Sequence, residues 1–153
     1  MHIDIKRIGF HKLEIPSRGS EHAAGYDLRC SMFMGEQEPP PTITIATGDT
    51  MVIDTGFAWE IPNGFVGMVC SRSGLAAKHG VFVANAPGQI DPDFRDQVKV
   101  ILFNSSRHPF QIRHGDRIAQ MVIVPISNPE LVEVVHISNT KRGTGGLGST
   151  GIG

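Results

Sequence analysis

Long apolar runs are missing from this sequence. No stretch approaches the ~20 residues of a membrane span. The first seven residues, which include His2, Asp4, Lys6 and Arg7, lack the apolar core of a secretory signal. Cysteine is scarce: Cys30 and Cys70 are the only two. That is too few for a disulfide framework, and their spacing is no metal motif. Both are expected as buried free thiols, which fits a reducing cytoplasm. The seven histidines show no metal-ligand spacing. Neither sign of charge dominates, since 14 Lys and Arg stand against 15 Asp and Glu. A broad basic face for nucleic acid is therefore excluded, and any polyanion site must be local. No Gly-x-Ser-x-Gly elbow or Ser-His-Asp constellation appears.

What is present is glycine, proline and short β-patterned runs. With 153 residues, one domain with a real core is expected rather than two. Ile3–Ile8, Thr42–Ile45 and Met51–Asp54 alternate apolar and polar residues. Phe65–Val69, Val98–Phe103, Met121–Val124 and Leu131–Val135 are rich in β-branched and aromatic side chains. Turn signals separate them at Pro39–Pro41, Pro62–Gly64, Ala86–Gly88 and His114–Asp116. Many short strands at this spacing predict an all-β sandwich, barrel or jelly roll. One helix is predicted over 73–80, with Ser73 as its cap and Gly80 as its stop.

Four stretches could carry chemistry. Residues 70–75 run from a strand into that helix, where free N–H groups, Arg72 and the hydroxyls of Ser71 and Ser73 could receive an anion. Taken alone, the stretch is a capped helix with a surface arginine. Residues 85–94 predict a hairpin between Val81–Val83 and Val98–Val100. Asp91 and Asp93 share a face there if the chain is extended, and Pro92 stiffens it. A carboxylate on a rigid hairpin can orient a water, although Asp and Asn are also ordinary turn formers. Ala24–Leu28 and Gly115–Met121 each look like turns beside strands. Last come residues 142–153, which hold six of the 18 glycines with Arg142, Ser149 and Thr150. Glycine lets successive amides converge on phosphate oxygens, yet a plain Gly-rich tail has the same composition.

Together, in this order, these segments resemble the trimeric dUTP pyrophosphatase (dUTPase) family. Five motifs correspond: Ala24–Leu28, Ser71–Ala76, Gly88–Arg95, Gly115–Met121 and Arg142–Gly151. The resemblance implies a jelly-roll-like distorted β-barrel over residues 1–136, with one short helix. It implies a flexible arm over 137–153 that closes over a neighbouring subunit's active site. It implies a cytoplasmic homotrimer with shared sites that hydrolyses dUTP to dUMP and pyrophosphate, limiting uracil incorporation into DNA and supplying dUMP for dTTP synthesis. Asp91 matches the carboxylate that activates the attacking water and bonds the deoxyribose 3′-hydroxyl. Asp27 matches the outer-shell position that holds waters of Mg²⁺, the ion resting mainly on the triphosphate.

Arg72, Ser73, Gly74 and Gln120 match phosphate-binding positions, while Arg142, Leu147, Gly148, Ser149 and Thr150 match the closing tail. Asn85, Gly88, Gln89, Ile90 and Lys99 match the uracil site, and Phe94 the ring beneath the deoxyribose. The chain departs from the family pattern in three places. Phe94 stands where tyrosine is usual, Leu147 where an aromatic is usual, and Asp96-Gln97 where glycine and an acidic residue are common. Discrimination against UTP is expected to survive at Phe94, because the flat face remains. A related fold belongs to dCTP deaminase, which needs a carboxylate at the pyrimidine C4. The strand Val98–Phe103 offers none. A non-catalytic nucleotide sensor and a structural trimer are the remaining alternatives.

Overall fold

The computed structural model describes residues 2–32 and 42–146. Ten strands and one helix lie within them. β1 (Asp4–Arg7), β4 (Thr50–Glu60), β8 (Gln97–Asn104) and β6 (Val81–Val83) make one four-stranded sheet in the order β1-β4-β8-β6. β2 (Gly25–Arg29), β10 (Arg117–Pro125), β5 (Phe65–Cys70) and β7 (Gly88–Ile90) make a second in the order β2-β10-β5-β7. β3 (Ile43–Ile45) and β9 (Phe110–Ile112) pair alone. Every pairing is antiparallel. This is the expected all-β, jelly-roll-like class.

Alternation decides which face each strand buries. In β8, Val98, Val100 and Leu102 are fully buried while Lys99, Ile101 and Phe103 point the other way. Ile53, Phe57 and Trp59 of β4, Leu28 of β2, Val69 of β5 and Met121 of β10 join them in one core cluster. Both large sheets therefore share one apolar interior, which supplies most of the stability. Two of the buried polar side chains, Asn104 and Thr55, are tied in. Asn104 donates through Nδ2 to the carbonyls of Ile45 and His108, and its Oδ1 accepts from Ser106 N and Oγ. Thr55 Oγ1 donates to the Val98 carbonyl at 2.7 Å.

Several expectations need correction. Ala24–Leu28 and Gly115–Met121 are not turns: most of each lies in β2 or β10, which pair with one another. A buried ladder partner overrides the weak propensity of short, polar, glycine-headed segments. The predicted strand at Leu131–Val135 does not form. Residues 127–140 are exposed throughout, with Leu131 93% and Val135 91% exposed, and none of them lies in a strand or pairs with one among the described residues. Its pattern is strand-like, but a strand needs a ladder. The 85–94 hairpin contains β7, which leaves the β6–β8 sheet to pair with β5. β6 itself pairs further along β8 than expected, with Val83 opposite Leu102 rather than within Val98–Val100.

Asp91 to Phe94 is a tight turn, with Phe94 N donating to the Asp91 carbonyl at 3.2 Å, so Asp91 and Asp93 share no strand face. The helix α1 (Ser73–His79) is present, but Arg72 occupies the cap position with no side-chain cap bond, and Ser73 is its first residue. Gly80 closes it at φ 63°, as expected. Both thiols are free, yet Cys30 alone is fully buried and Cys70 is half-buried. Pro39–Pro41 lies outside the described residues.

Candidate functional site

The second sheet carries one half of the expected site. Asp27 on β2 faces Gln120 on β10, and Gln120 faces Cys70 at the end of β5. Antiparallel pairing thus brings three distant segments side by side where β5 turns into α1. Gln120 Nε2 donates to the Ser71 carbonyl at 3.0 Å, and Ser71 Oγ accepts from Val83 N at 2.9 Å. The Asp27 carboxylate, 17% exposed, lies between two guanidinium groups. Arg72 Nε is 3.3 Å from Oδ1, and Arg117 Nη1 is 3.1 Å from Oδ2. Arg72 Nη1 also donates to the Arg117 carbonyl at 3.0 Å. Two arginines around one carboxylate leave one net positive charge, favourable to an anion. Ser73 and Gly74 are exposed at the start of α1, and a Cβ on Gly74 would meet nothing within 4 Å.

Gly25 is fixed by Gln120. A Cβ there would stand 2.5 Å from Gln120 Oε1 and 3.0 Å from its Cβ. Gly25→Ala should therefore push the carboxamide away from Ser71. For the dUTP hydrolysis that the motif resemblance implies, kcat/KM should fall by roughly ten- to a hundredfold, the size of an ångström-scale misplacement. The midpoint of thermal unfolding, measured beside it, should move little. Unchanged kinetics would remove Gln120 from the site.

The other half is a slot of about 390 Å³ between β7 and the outer face of β4 and β8. Asn85, Gly88, Gln89, Ile90, Phe94 and Lys99 line it, with Val52 and Ile101 as apolar wall. Alternation along β8 turns Lys99 outward into it, and its Nζ rests 3.6 Å from Asp54 Oδ1. β7 is an edge strand, so one backbone edge of Gly88–Ile90 is unpaired in this sheet. A flat ligand with alternating acceptors and donors can pair with such an edge. Gly88 keeps Asn85 close, since a Cβ there would lie 3.0 Å from Asn85 Nδ2. Asp91 directly follows β7 and is exposed; among the described residues its carboxylate has no hydrogen bond or ion pair.

The structure brings Asp27, Arg72, Ser73, Gly74 and Gln120 to one region and the six slot residues to another. The slot and the pocket beside Arg72 share no lining residue. Arg142 is described, and its Nε donates to the Gly145 carbonyl at 2.8 Å within the exposed arm. Leu147, Gly148, Ser149 and Thr150 lie outside the described residues. Arg117 is the site residue that motif reasoning missed. Its only signal was membership of the Gly115–Met121 stretch. Neither cysteine supplies a nucleophile to the slot or to the Arg72 pocket. Burial, then the nearby carboxylates of Asp116 and Asp54, push the Cys30 thiol from its ordinary 9.0 up to about 12.

An all-β domain of ten antiparallel strands, with an arginine-rich anion cluster and a separate slot under an edge strand, has the makings of a nucleotide-handling protein. Solved structures with this fold include a variant of the dUTPase of phage 80alpha, with a TM-score of 0.83 at 26% identity over 97% of this chain and 98% of that one. Another variant of the Staphylococcus bacteriophage 80alpha enzyme, solved with dUpNHpp, gives 0.80 at 26% identity over 99% of both chains. A deoxyuridine 5′-triphosphate nucleotidohydrolase of Rhizobium etli is 46% identical over 140 residues, covering 92% of this chain and 86% of its own. The chain belongs to the dUTPase family, whose model matches residues 11–151, and its activity is hydrolysis of dUTP to dUMP.

Proposed function

We propose that this hydrolysis is an in-line attack of water on the α-phosphorus, with Asp91 as the base. The observation that carries this reading is the position of Asp91. It is an unengaged carboxylate at the end of the edge strand that meets the slot. The uracil edge pairs with the backbone of residues 88–91, supported by Asn85 and Lys99, and Phe94 lies under the deoxyribose. Asp91 accepts a bond from the 3′-hydroxyl and orients and deprotonates the water. The triphosphate is already anionic, so catalysis rests on positioning and charge neutralisation. Arg72, Ser73, Gly74 and Gln120 hold the phosphates, and Arg142 with the tail through Thr150 closes over them. That a relative was solved with the dUTP analogue dUpNHpp supports dUTP as the substrate of this site.

Mg²⁺ fits as a partner of the substrate rather than of the protein. Among the described residues no cluster of three or more His, Cys, Asp or Glu could hold a metal. Asp27 Oδ2 accepts from Arg117 and Oδ1 pairs ionically with Arg72, which suits the carboxylate to holding waters of an ion carried on the triphosphate rather than the ion itself. When bound, Mg²⁺ would draw negative charge from the phosphate oxygens.

A homotrimer with shared sites explains two features together. The uracil residues line one pocket of the chain, and Arg72 lines another that shares no residue with it. The apolar run Leu131, Val132, Val134, Val135 and Ile137 is exposed on that same chain, an arrangement that favours burial against another copy. We place the β domain at 1–136, the closing arm at 137–153 and the enzyme in the cytoplasm.

Incubation with Mg²⁺ and dUTP, dCTP, UTP or dTTP in parallel tests the reading. The expected products are dUMP and pyrophosphate from dUTP alone, lost when EDTA is added. Ammonia from dCTP would point to deamination instead. The slot does hold one carboxylate, Asp96, but its Oδ1 accepts from Gln97 N at 2.6 Å.

A further inference from the structure

Arg117 should face away from the phosphate cluster, and it does not. Arg117 and Gln120 are three residues apart on β10. In a regular strand an odd spacing puts two side chains on opposite faces. Gln120 lies opposite Asp27 on β2, and Arg117 lies opposite Arg29, two residues from Asp27 and on its face. The pairing register shifts between Arg117 and Ala119: two steps on β10 span one step on β2, from Arg29 to Leu28. This is a β-bulge at Ile118. It leaves Ile118 and Ala119 both buried in the core, at 2% and 0% exposure, while turning Arg117 toward Asp27.

Once turned, Arg117 touches both other members of the cluster. Its Nη1 lies 3.1 Å from Asp27 Oδ2, and its carbonyl accepts from Arg72 Nη1 at 3.0 Å. Asp27 Oδ1 takes Arg72 Nε at 3.3 Å. Arg72 is thereby held at Nε and Nη1, which fixes the plane of its guanidinium and leaves Nη2 without a partner among the described residues. Arg72 is 28% and Arg117 45% exposed. Arg72 is held at two nitrogens and Arg117 at one, so Arg72 has the better fixed guanidinium of the two. A carboxylate as enclosed as Asp27 needs paired charge, and one arginine alone would leave an oxygen unpaired.

We propose that Arg117 is a positioning residue: through Asp27 it locks the Arg72 guanidinium in the orientation that receives the triphosphate. This rests on the reading of Arg72 as a phosphate-binding residue. A double-mutant cycle tests it on the full chain with Mg²⁺ and dUTP. Arg117→Gln is expected to lower kcat/KM about tenfold and Arg72→Gln more. The double variant should fall no more than about twofold below Arg72→Gln alone, because a residue acting through another has nothing left to act on. Arg117→Lys, which keeps the charge, should recover part of the loss. Inhibition by deoxyuridine, which carries no phosphate, should match the wild type in all variants.

Independent, multiplying losses would overturn the proposal, as would an Arg117→Gln enzyme within twofold of wild type. A shifted deoxyuridine constant would also overturn it, since a general structural role moves that constant. Silence of Arg72→Gln would instead sink the phosphate reading beneath it. Should Arg117→Gln not fold, the same cycle is run with Arg117→Lys.

Discussion

With Asp91 as the proposed base, Asp91→Asn is expected to lower the kcat for dUTP by about a thousandfold while leaving the fold and KM nearly unchanged. The magnitude is that of removing a general base, which typically supplies 10²–10⁴. Asparagine keeps the shape and the ability to bond a 3′-hydroxyl, so binding survives, but it cannot accept the proton of the attacking water. Asp91 is exposed, and no described residue depends on its carboxylate. Stability should therefore stay within about 0.5 kcal/mol of wild type. Steady-state kinetics together with a thermal melt decide the matter. A kcat within tenfold of wild type would move the base elsewhere, whereas a collapsed melt would show that the turn after β7 needs the charge.

Removing residues 141–153 is the second large effect. Arg142 and the glycine-rich tail would supply donors to the far end of the triphosphate, and losing such preorganised donors costs about 10²–10³ in rate. The body should not notice. Residues 126–140 are already exposed on their own chain, and the described bonds of the arm are local: Arg142 Nε to the Gly145 carbonyl and Gly143 N to the Thr140 hydroxyl. The truncated chain should melt within about 2 °C of the full one and keep its oligomeric mass by light scattering. A truncation that retains full turnover would leave the tail without a catalytic role. One that loses assembly would make it structural.

β5 and β8 were legible in the sequence nearly whole, but β4 only over Met51–Asp54 and β10 only over Met121–Val124, with Thr55–Glu60 and Arg117–Gln120 missed. The legible stretches carry β-branched and aromatic residues because both their ladders and one face are enclosed. β2 and β7 were not legible, since Gly25-Tyr-Asp-Leu-Arg29 and Gly88-Gln-Ile90 owe their extended form to a partner strand rather than to their own preferences. Leu131–Val135 failed in the reverse sense, having the pattern without a partner strand among the described residues. Among site residues, Asp27, Arg72, Gln120 and Asp91 could be found only as members of ordered motifs; each alone is ordinary turn or surface chemistry. Arg117 was invisible because residue spacing assumes an unbroken strand. The bulge at Ile118 inverts that parity, and nothing local announces it.

The separation of the slot at β7 from the arginine cluster at the end of β5 changes what a damaging mutation means genetically. Where one copy brings the water-activating carboxylate and another brings the phosphate clamp, a defect belongs to half a site rather than to a subunit. On the proposed shared site, a chain lacking Asp91 and a chain lacking Arg72 would each be inert among their own kind. Assembled together, they would rebuild some sites from the sound half of each. Two alleles null when alone would then restore activity as a pair, and a single defective allele would spread its damage into sites that its healthy sister chains help to build.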